Sequence, residues 1–459
     1  MFPIYRREIL ETIRLSLPIV IAQLGVILMG VTDNILVGRF LGATALGAAG
    51  LANSQAFLVS SIAVGGLGVV GSLISQAKGQ KNDVEIGRTF RAGLWVAVLM
   101  GVVLGLISLL LAFRFEWFGQ TPEITNLARP FMYILSASNI PLFLFVATRQ
   151  LSDGLSFPRV AMFITVSALV VNALFNYLLI KGTWIFPEMG LNGSATATLI
   201  ARSYMAIAIS VYVWRSATFK KYLTASKGLN LSDLIPKVLR LSTTTGFQFF
   251  FEIAAFSLAV VMIGWLGENQ LAAHQIAINL ASTTYMMATG IASAGAIRVG
   301  RAFGQQNKTA VFRAGTAAFL LVIAFMGFCC LFFLTANDLL VTLYLKDNLP
   351  VMQIAAALVI IAGFFQLSDG IQVVALGALR GLNDINIPTF ITLIAYWVIA
   401  LPLSYVLAFT FKMDVTGIWI ALSAGLTFSA IFLTFRFYRL LKKLDMGKAP
   451  KSENLTFFH

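Results

Sequence analysis

Charge is scarce in this sequence. Only 11% of the 459 residues are Asp, Glu, Lys or Arg, whereas 58% are hydrophobic and mean hydropathy is +0.86. A soluble domain carries roughly 25% charged residues, so a soluble chain is excluded. Cysteine and histidine number two each. Cys329 and Cys330 are adjacent in an apolar run, which leaves no disulfide framework, and no histidine lies near a cysteine in a zinc-binding spacing. The sequence lacks G-x-x-x-x-G-K-[ST], which excludes an ATP-driven pump on this chain alone. It also lacks His–acid, Cys–His or metal-ligand spacings in its apolar stretches. The expectation is a protein that is not an enzyme and needs no cofactor. The N-terminal stretch has no clear small-residue cleavage site and its apolar run continues to full span length, unlike a cleavable signal.

What is present is a series of apolar runs, each about 20 residues long, the length that crosses a bilayer as a helix. Short segments of alternating polarity, the mark of a membrane barrel, do not occur. The pattern predicts an all-α polytopic membrane protein with twelve spans near 13–37, 47–77, 89–112, 126–150, 159–180, 191–214, 238–264, 271–301, 311–334, 350–378, 387–410 and 416–438. The net charge of +14 is distributed unevenly over the loops. Of the Lys and Arg residues, 26 fall on the side of both termini. Six fall on the other: Arg39, Arg114, Arg129, Lys181, Lys346 and Lys412. That excess predicts cytoplasmic termini and contact with anionic lipid, with no role for nucleic acid.

The chain repeats itself. "FLGATALGAAGLANSQAFLVSSIAVGGLGVVGSLISQAKGQKN" at 40–82 aligns with "WLGENQLAAHQIAINLASTTYMMATGIASAGAIRVGRAFGQQN" at 265–307, and "FRAG" follows each. The offset of about 225 residues corresponds to six spans, so both copies cross in the same sense. Two pseudo-symmetric six-helix bundles are therefore expected as parallel repeats about an axis along the membrane normal. The expected divisions are a first lobe at 1–215, a polar linker at 216–236, a second lobe at 237–440 and a tail at 441–459. Two facing bundles suggest a transporter that works by alternating access. A channel is disfavoured, because neither a filter loop nor a ring of like charges occurs.

Three acids fall within the spans: Asp33 in span 1, Glu252 in span 7 and Asp369 in span 10. An acid in a membrane is costly and points to function unless it is paired for packing. Arg202 is the one span cation on this reading, and it can neutralise at most one of the three. A cavity with unpaired acids attracts cations and holds protons. Phe247, Phe249, Phe250, Phe251 and Phe256 flank Glu252, Phe364 and Phe365 flank Asp369, and Tyr285 lies in span 8. Carboxylates beside aromatic faces suit a greasy cation. Asn172 and Asn176 share one face of span 5, and Ser194 and Thr198 share one face of span 6. With Asp33 they supply hard oxygen ligands for Na⁺ or, equally, a hydrogen-bond network around a protonatable acid.

The order and spacing of "GRFLG…ALGAAGLANS", "GWLGENQLAAHQIAINLAS", "RQLSDGLSFPR", "GLNGSATAT" and "GALRGLNDINIP" resemble the multidrug and toxic compound extrusion (MATE) family over nearly the whole chain. The acids in spans 7 and 10 resemble its NorM-like branch. The resemblance implies an antiporter that expels organic cation drugs against inward Na⁺ or H⁺, expected to act as a monomer. It implies that Asp33, Asn172, Asn176 and Thr198 form an N-lobe ion site able to hold Na⁺, with Ser194 giving its carbonyl. It also implies that Glu252 and Asp369 form a C-lobe cation site faced by Tyr285. Phe365 stands where some NorM-like members carry tyrosine, which counts against Na⁺ coordination in the C-lobe. A lipid-linked oligosaccharide flippase of the same superfamily is the rival function, and its anionic cargo calls for a cavity lined with Arg and Lys.

Overall fold

The structure is a computed structural model that describes residues 2–118, 121–344 and 348–444. Lys346 and residues 445–459 of the expected tail lie outside the described residues. The first half contains α1 (Phe2–Gly66), α2 (Gly68–Gly79), α3 (Asp83–Phe113), α4 (Pro122–Ala137), α5 (Asn139–Gly154), α6 (Arg159–Lys181) and α7 (Leu191–Arg215). A short helix α8 (Ala217–Ala225) precedes α9 (Leu234–Leu266), α10 (Glu268–Gly304), α11 (Lys308–Thr335), α12 (Asn337–Thr342) and α13 (Leu349–Gly381). The chain closes with α14 (Asn386–Leu393), α15 (Leu401–Tyr405) and α16 (Asp414–Lys443). No strand occurs among the described residues.

Among the described residues, ten helical stretches are long and apolar enough to cross a membrane. The first, Tyr5–Gly79, is two spans in one run. At Gly42 the backbone leaves the helical region (φ 83°, ψ −175°), a conformation that glycine adopts at little cost, and the chain turns back. The twelfth span is α10, whose hydropathy is lowered by Gln275, Asn279, Ser282 and Thr283. These four are exposed in mid-helix, where polar side chains belong against water rather than lipid. The result is an all-α membrane protein of twelve spans in two pseudo-symmetric six-helix bundles.

The duplication is carried by backbone chemistry. Gly267 takes a positive φ of 116° at the position equivalent to Gly42. Asn82 caps α3 by accepting a hydrogen bond from the Glu85 amide at 3.0 Å, and its equivalent Asn307 caps α11 through the Ala310 amide at 2.9 Å. The bundles also meet reciprocally. A Cβ on Gly79 would lie 2.1 Å from the Arg301 carbonyl, and one on Gly304 would lie 2.0 Å from the Gln76 carbonyl. Each pair is the image of the other under the repeat offset, as expected for two copies facing one another across an axis.

These close contacts lie at the end bearing the basic loops. There Gln76 of α2 donates to the Gly381 carbonyl at 2.8 Å and accepts from the Asn383 amide at 2.8 Å. At the opposite end Gly42, Gly47, Gly264 and Gly267 have nothing within 4 Å of where a Cβ would stand. The bundles are therefore held together closely at the basic end, whereas these four glycines at the other end meet no neighbour.

Two expectations are corrected. Asp153 looked like an acid beyond the end of span 4, but α5 continues through Gly154, and Asp153 is buried and paired with Arg149 at 3.1 Å. Arg202 is not alone, because α13 extends through Gly381 and brings Arg380 near Tyr285.

Candidate functional site

The first half gathers its polar residues from three helices. Asp33 stands on the first arm of α1, Asn172 and Asn176 on α6, and Ser194 and Thr198 on α7. Asn176 Nδ2 donates to Asp33 Oδ1 at 2.6 Å, and Thr198 Oγ1 donates to Asp33 Oδ2 at 2.9 Å. The spacing of four residues explains the rest. Asn176 Nδ2 also reaches the Asn172 carbonyl at 3.0 Å, and the Thr198 hydroxyl lies 3.2 Å from the Ser194 carbonyl, each one turn back. Asn172 is fully buried and its amide faces Asp33 without forming a geometric hydrogen bond. Both polar atoms of the Asn172 side chain, and Oδ1 of Asn176, are buried without partners. Such orphaned amide atoms are uncommon in a finished hydrogen-bond network. An amide and a hydroxyl thus converge on one carboxylate, and the amide oxygens of Asn172 and Asn176 are left free to accept. No group of three or more His, Cys, Asp or Glu gathers among the described residues, so a transition-metal site is not indicated there.

Arg202 of α7 does not form a close ion pair with Asp33. Its Nη1 donates to Ser138 Oγ at 2.7 Å, at the break between α4 and α5. It acts on Asp33 only through longer-range charge.

In the second half, Glu252 of α9 is 7% exposed and Asp369 of α13 is 6% exposed. Glu252 Oε1 accepts from Gln372 Nε2 at 3.2 Å and from the Tyr396 hydroxyl at 3.0 Å. Gln372 Nε2 lies 2.7 Å from the same hydroxyl. Backbones of α9 and α13 scarcely touch, so the long Gln372 side chain bridges a gap, whereas the helix that carries Tyr396 packs on α9, with Trp397 Nε1 donating to the Phe251 carbonyl at 3.1 Å. Asp369 has no hydrogen-bond or ion-pair partner among the described residues, and the charge it feels is that of Glu252. Tyr285 of α10 lies within electrostatic range of both carboxylates. The structure therefore brings together the three expected residues of this site. Of the flanking aromatics, Phe256 packs edge-on against Phe365 at 6.1 Å and against the Tyr396 ring at 5.8 Å. Phe247 and Phe364 are 46% and 57% exposed and make no such contact with the site's rings.

Tyr396 and Gln372 were missed by sequence reasoning. Gln372 is three residues after Asp369, one turn along the same helix, and that spacing was a usable signal. Tyr396 had none. It sits in a π-helical stretch, Ile394–Ala400, and a second such stretch follows at Val406–Thr410. π-bulges shift the register of a helix face and recur at functional sites. Also unforeseen were the buried pairs Thr284–Gln366 at 2.7 Å and Trp419–His274 at 3.1 Å.

Comparison with known proteins bears on this geometry. The MatE family model matches residues 18–178 and 245–406. A probable multidrug resistance protein NorM of Rhizobium meliloti is 33% identical over 445 residues, covering 95% of this chain and 94% of the relative. One of the same name from Rhodopseudomonas palustris is 34% identical over 442 residues, covering 95% and 93%. Among solved structures, the eukaryotic MATE transporter AtDTX14 superposes with a TM-score of 0.86 at 18% identity, covering 96% of this chain and 98% of its own.

Proposed function

This chain belongs to the MatE family, and from that premise we propose that it is a secondary active antiporter exporting organic cation drugs in exchange for inward Na⁺ or H⁺ by alternating access. The observation that carries the reading is the Glu252–Asp369 pair. Two buried carboxylates lie beside aromatic rings, and one of them has no bonded partner. Such a pair attracts a cation and holds a proton in its absence, so the two ligands compete for one site. The multidrug resistance names of the relatives agree with this. Aromatic faces at Phe256, Phe365 and Tyr396 give a bulky cation apolar burial without fine geometry.

In this reading Asp33, Asn172, Asn176, Thr198 and the Ser194 carbonyl form the coupling-ion site. The unpartnered amide atoms of Asn172 and Asn176 support a Na⁺ ligand role, while the two donors on Asp33 support a network around a proton. The lobes divide at 1–215 and 237–440, with 216–236 as linker. The excess of Lys and Arg on the side of the termini places that side in the bacterial cytoplasm.

Everted vesicles test the proposal. Efflux of a fluorescent organic cation is measured while the Na⁺ gradient and the proton gradient are collapsed separately. Transport that survives the loss of both gradients overturns it. The flippase alternative calls for a cationic cavity. The acidic pair disfavours it, since Arg202 and Arg380 are the cations found near the sites.

A further inference from the structure

A cavity lies at the basic end of the bundle interface, apart from the carboxylates. It is a cleft of about 780 Å³. The first bundle contributes the start of α1, the turn before α6 and the end of α7. The second contributes the end of α10 and the start of α11.

Its charges are unequally matched. Arg298 is fully engaged. It bonds the Thr12 hydroxyl at 2.5 Å and the Glu8 carbonyl at 2.6 Å, and it pairs with the carboxylates of Glu8 and Glu11. Those contacts use the two acids of the cleft, and Arg7 also pairs with Glu11 at 3.2 Å. Arg14, Arg159 and Arg301 line the same space and make no hydrogen bond or ion pair among the described residues. Lys78 adds a fourth cation behind the wall, 5.7 Å from the Phe157 ring. The other half of the lining is apolar, from Phe157, Val160, Tyr212 and Ile297, with Phe157 and Tyr212 exposed at 44% and 46%. Outside it, Leu10 and Leu17 of α1 are exposed at 47% and 56%.

Three unmatched arginines beside a greasy wall, at the ends of membrane spans, match a ligand with an anionic head and hydrocarbon tails. We propose that this cleft binds an anionic phospholipid. The phosphate sits among Arg14, Arg159 and Arg301, and the acyl chains lie along Phe157 and Tyr212. Guanidinium groups suit phosphate because they present paired donors, and basic pockets between spans on this face take such headgroups. A free inorganic phosphate would use the arginines and leave the apolar half exposed. Because each bundle supplies one wall, the lipid binds best when the basic ends are closed, and so favours the arrangement described above.

The test is native mass spectrometry of the purified full chain, titrated with phosphatidylglycerol or with phosphatidylcholine of the same acyl chains. The expected result is retention of phosphatidylglycerol at least about tenfold tighter than phosphatidylcholine. R14Q, R159Q and R301Q should each weaken it about fivefold. The triple replacement by lysine keeps the charge but loses the paired donors, and should bind more weakly than the native chain and more tightly than the triple replacement by glutamine. A control triple on the same face, K220Q, K237Q and R240Q, should leave it unchanged, and matching thermal midpoints confirm that all variants fold. Equal retention of phosphatidylcholine, an equal loss in the control triple, or inorganic phosphate binding as tightly as the lipid would each overturn the proposal.

Discussion

Asp33 and Glu252 stand on helices related by duplication, yet the two bundles hold them differently. Asp33 is gripped at both oxygens by donors from α6, which packs closely on α1, and from α7, which packs on α6. Glu252 is held at one oxygen only, by Tyr396 and by Gln372 reaching from α13, and Asp369 beside it has no bonded partner. A tight pocket of small hard donors selects a small ion. A loose one with rings and a spare carboxylate accepts a large one. In the proposed mechanism the scaffold is shared, and the division of labour between coupling ion and drug follows from how each acid is enclosed.

The comparison is broken most severely at Asp33. Asp33→Asn keeps the shape but removes the charge, and drug efflux in cells should fall to the background of cells lacking the protein while its membrane level stays unchanged. Efflux at the normal rate would remove Asp33 from coupling. The next effect is at Glu252. Because proton and cation share its carboxylate, affinity for an organic cation should fall as pH falls, since protonation removes the charge that binds. Glu252→Gln should weaken that affinity by about tenfold or more and flatten its pH dependence, read by fluorescence titration across pH. A packing role for Glu252 predicts that neither changes.

Tyr396→Phe sharpens the contrast further. It deletes one of two donors to a single oxygen and leaves the ring in place, so cation affinity should shift by roughly three- to tenfold with little effect on folding. No shift would mean that Tyr396 serves the wall and not the acid. The smallest effect is expected at Phe364, close to Asp369 in sequence but exposed. Phe364→Ala should leave drug affinity within about twofold, as for a surface change. A larger loss would place that ring in the cavity.

The N-terminal cluster was legible because its members repeat at four residues on two helices, and helical geometry alone puts such pairs on one face. The C-terminal site was legible in its acids, which are conspicuous by cost in apolar helices. Its aromatics were not, since alternate faces of one helix carry similar phenylalanines and composition does not say which face lipid covers. Phe256 and Phe364 illustrate the two outcomes.

By itself the sequence determined the membrane class, the twelve spans and the duplication. Those follow from local quantities: run length against bilayer thickness, and registered identities ending in glycines and caps that fix the turns. Only the tertiary structure decided which groups meet. Tyr396, in a π-helical stretch, reaches Glu252 from 144 residues away because its helix packs on α9. Arg14, Arg159 and Arg301 surround one cleft because two bundles close at one end. Such meetings depend on the packing angle between helices, a property of many weak contacts summed over the fold and written in no single stretch of residues.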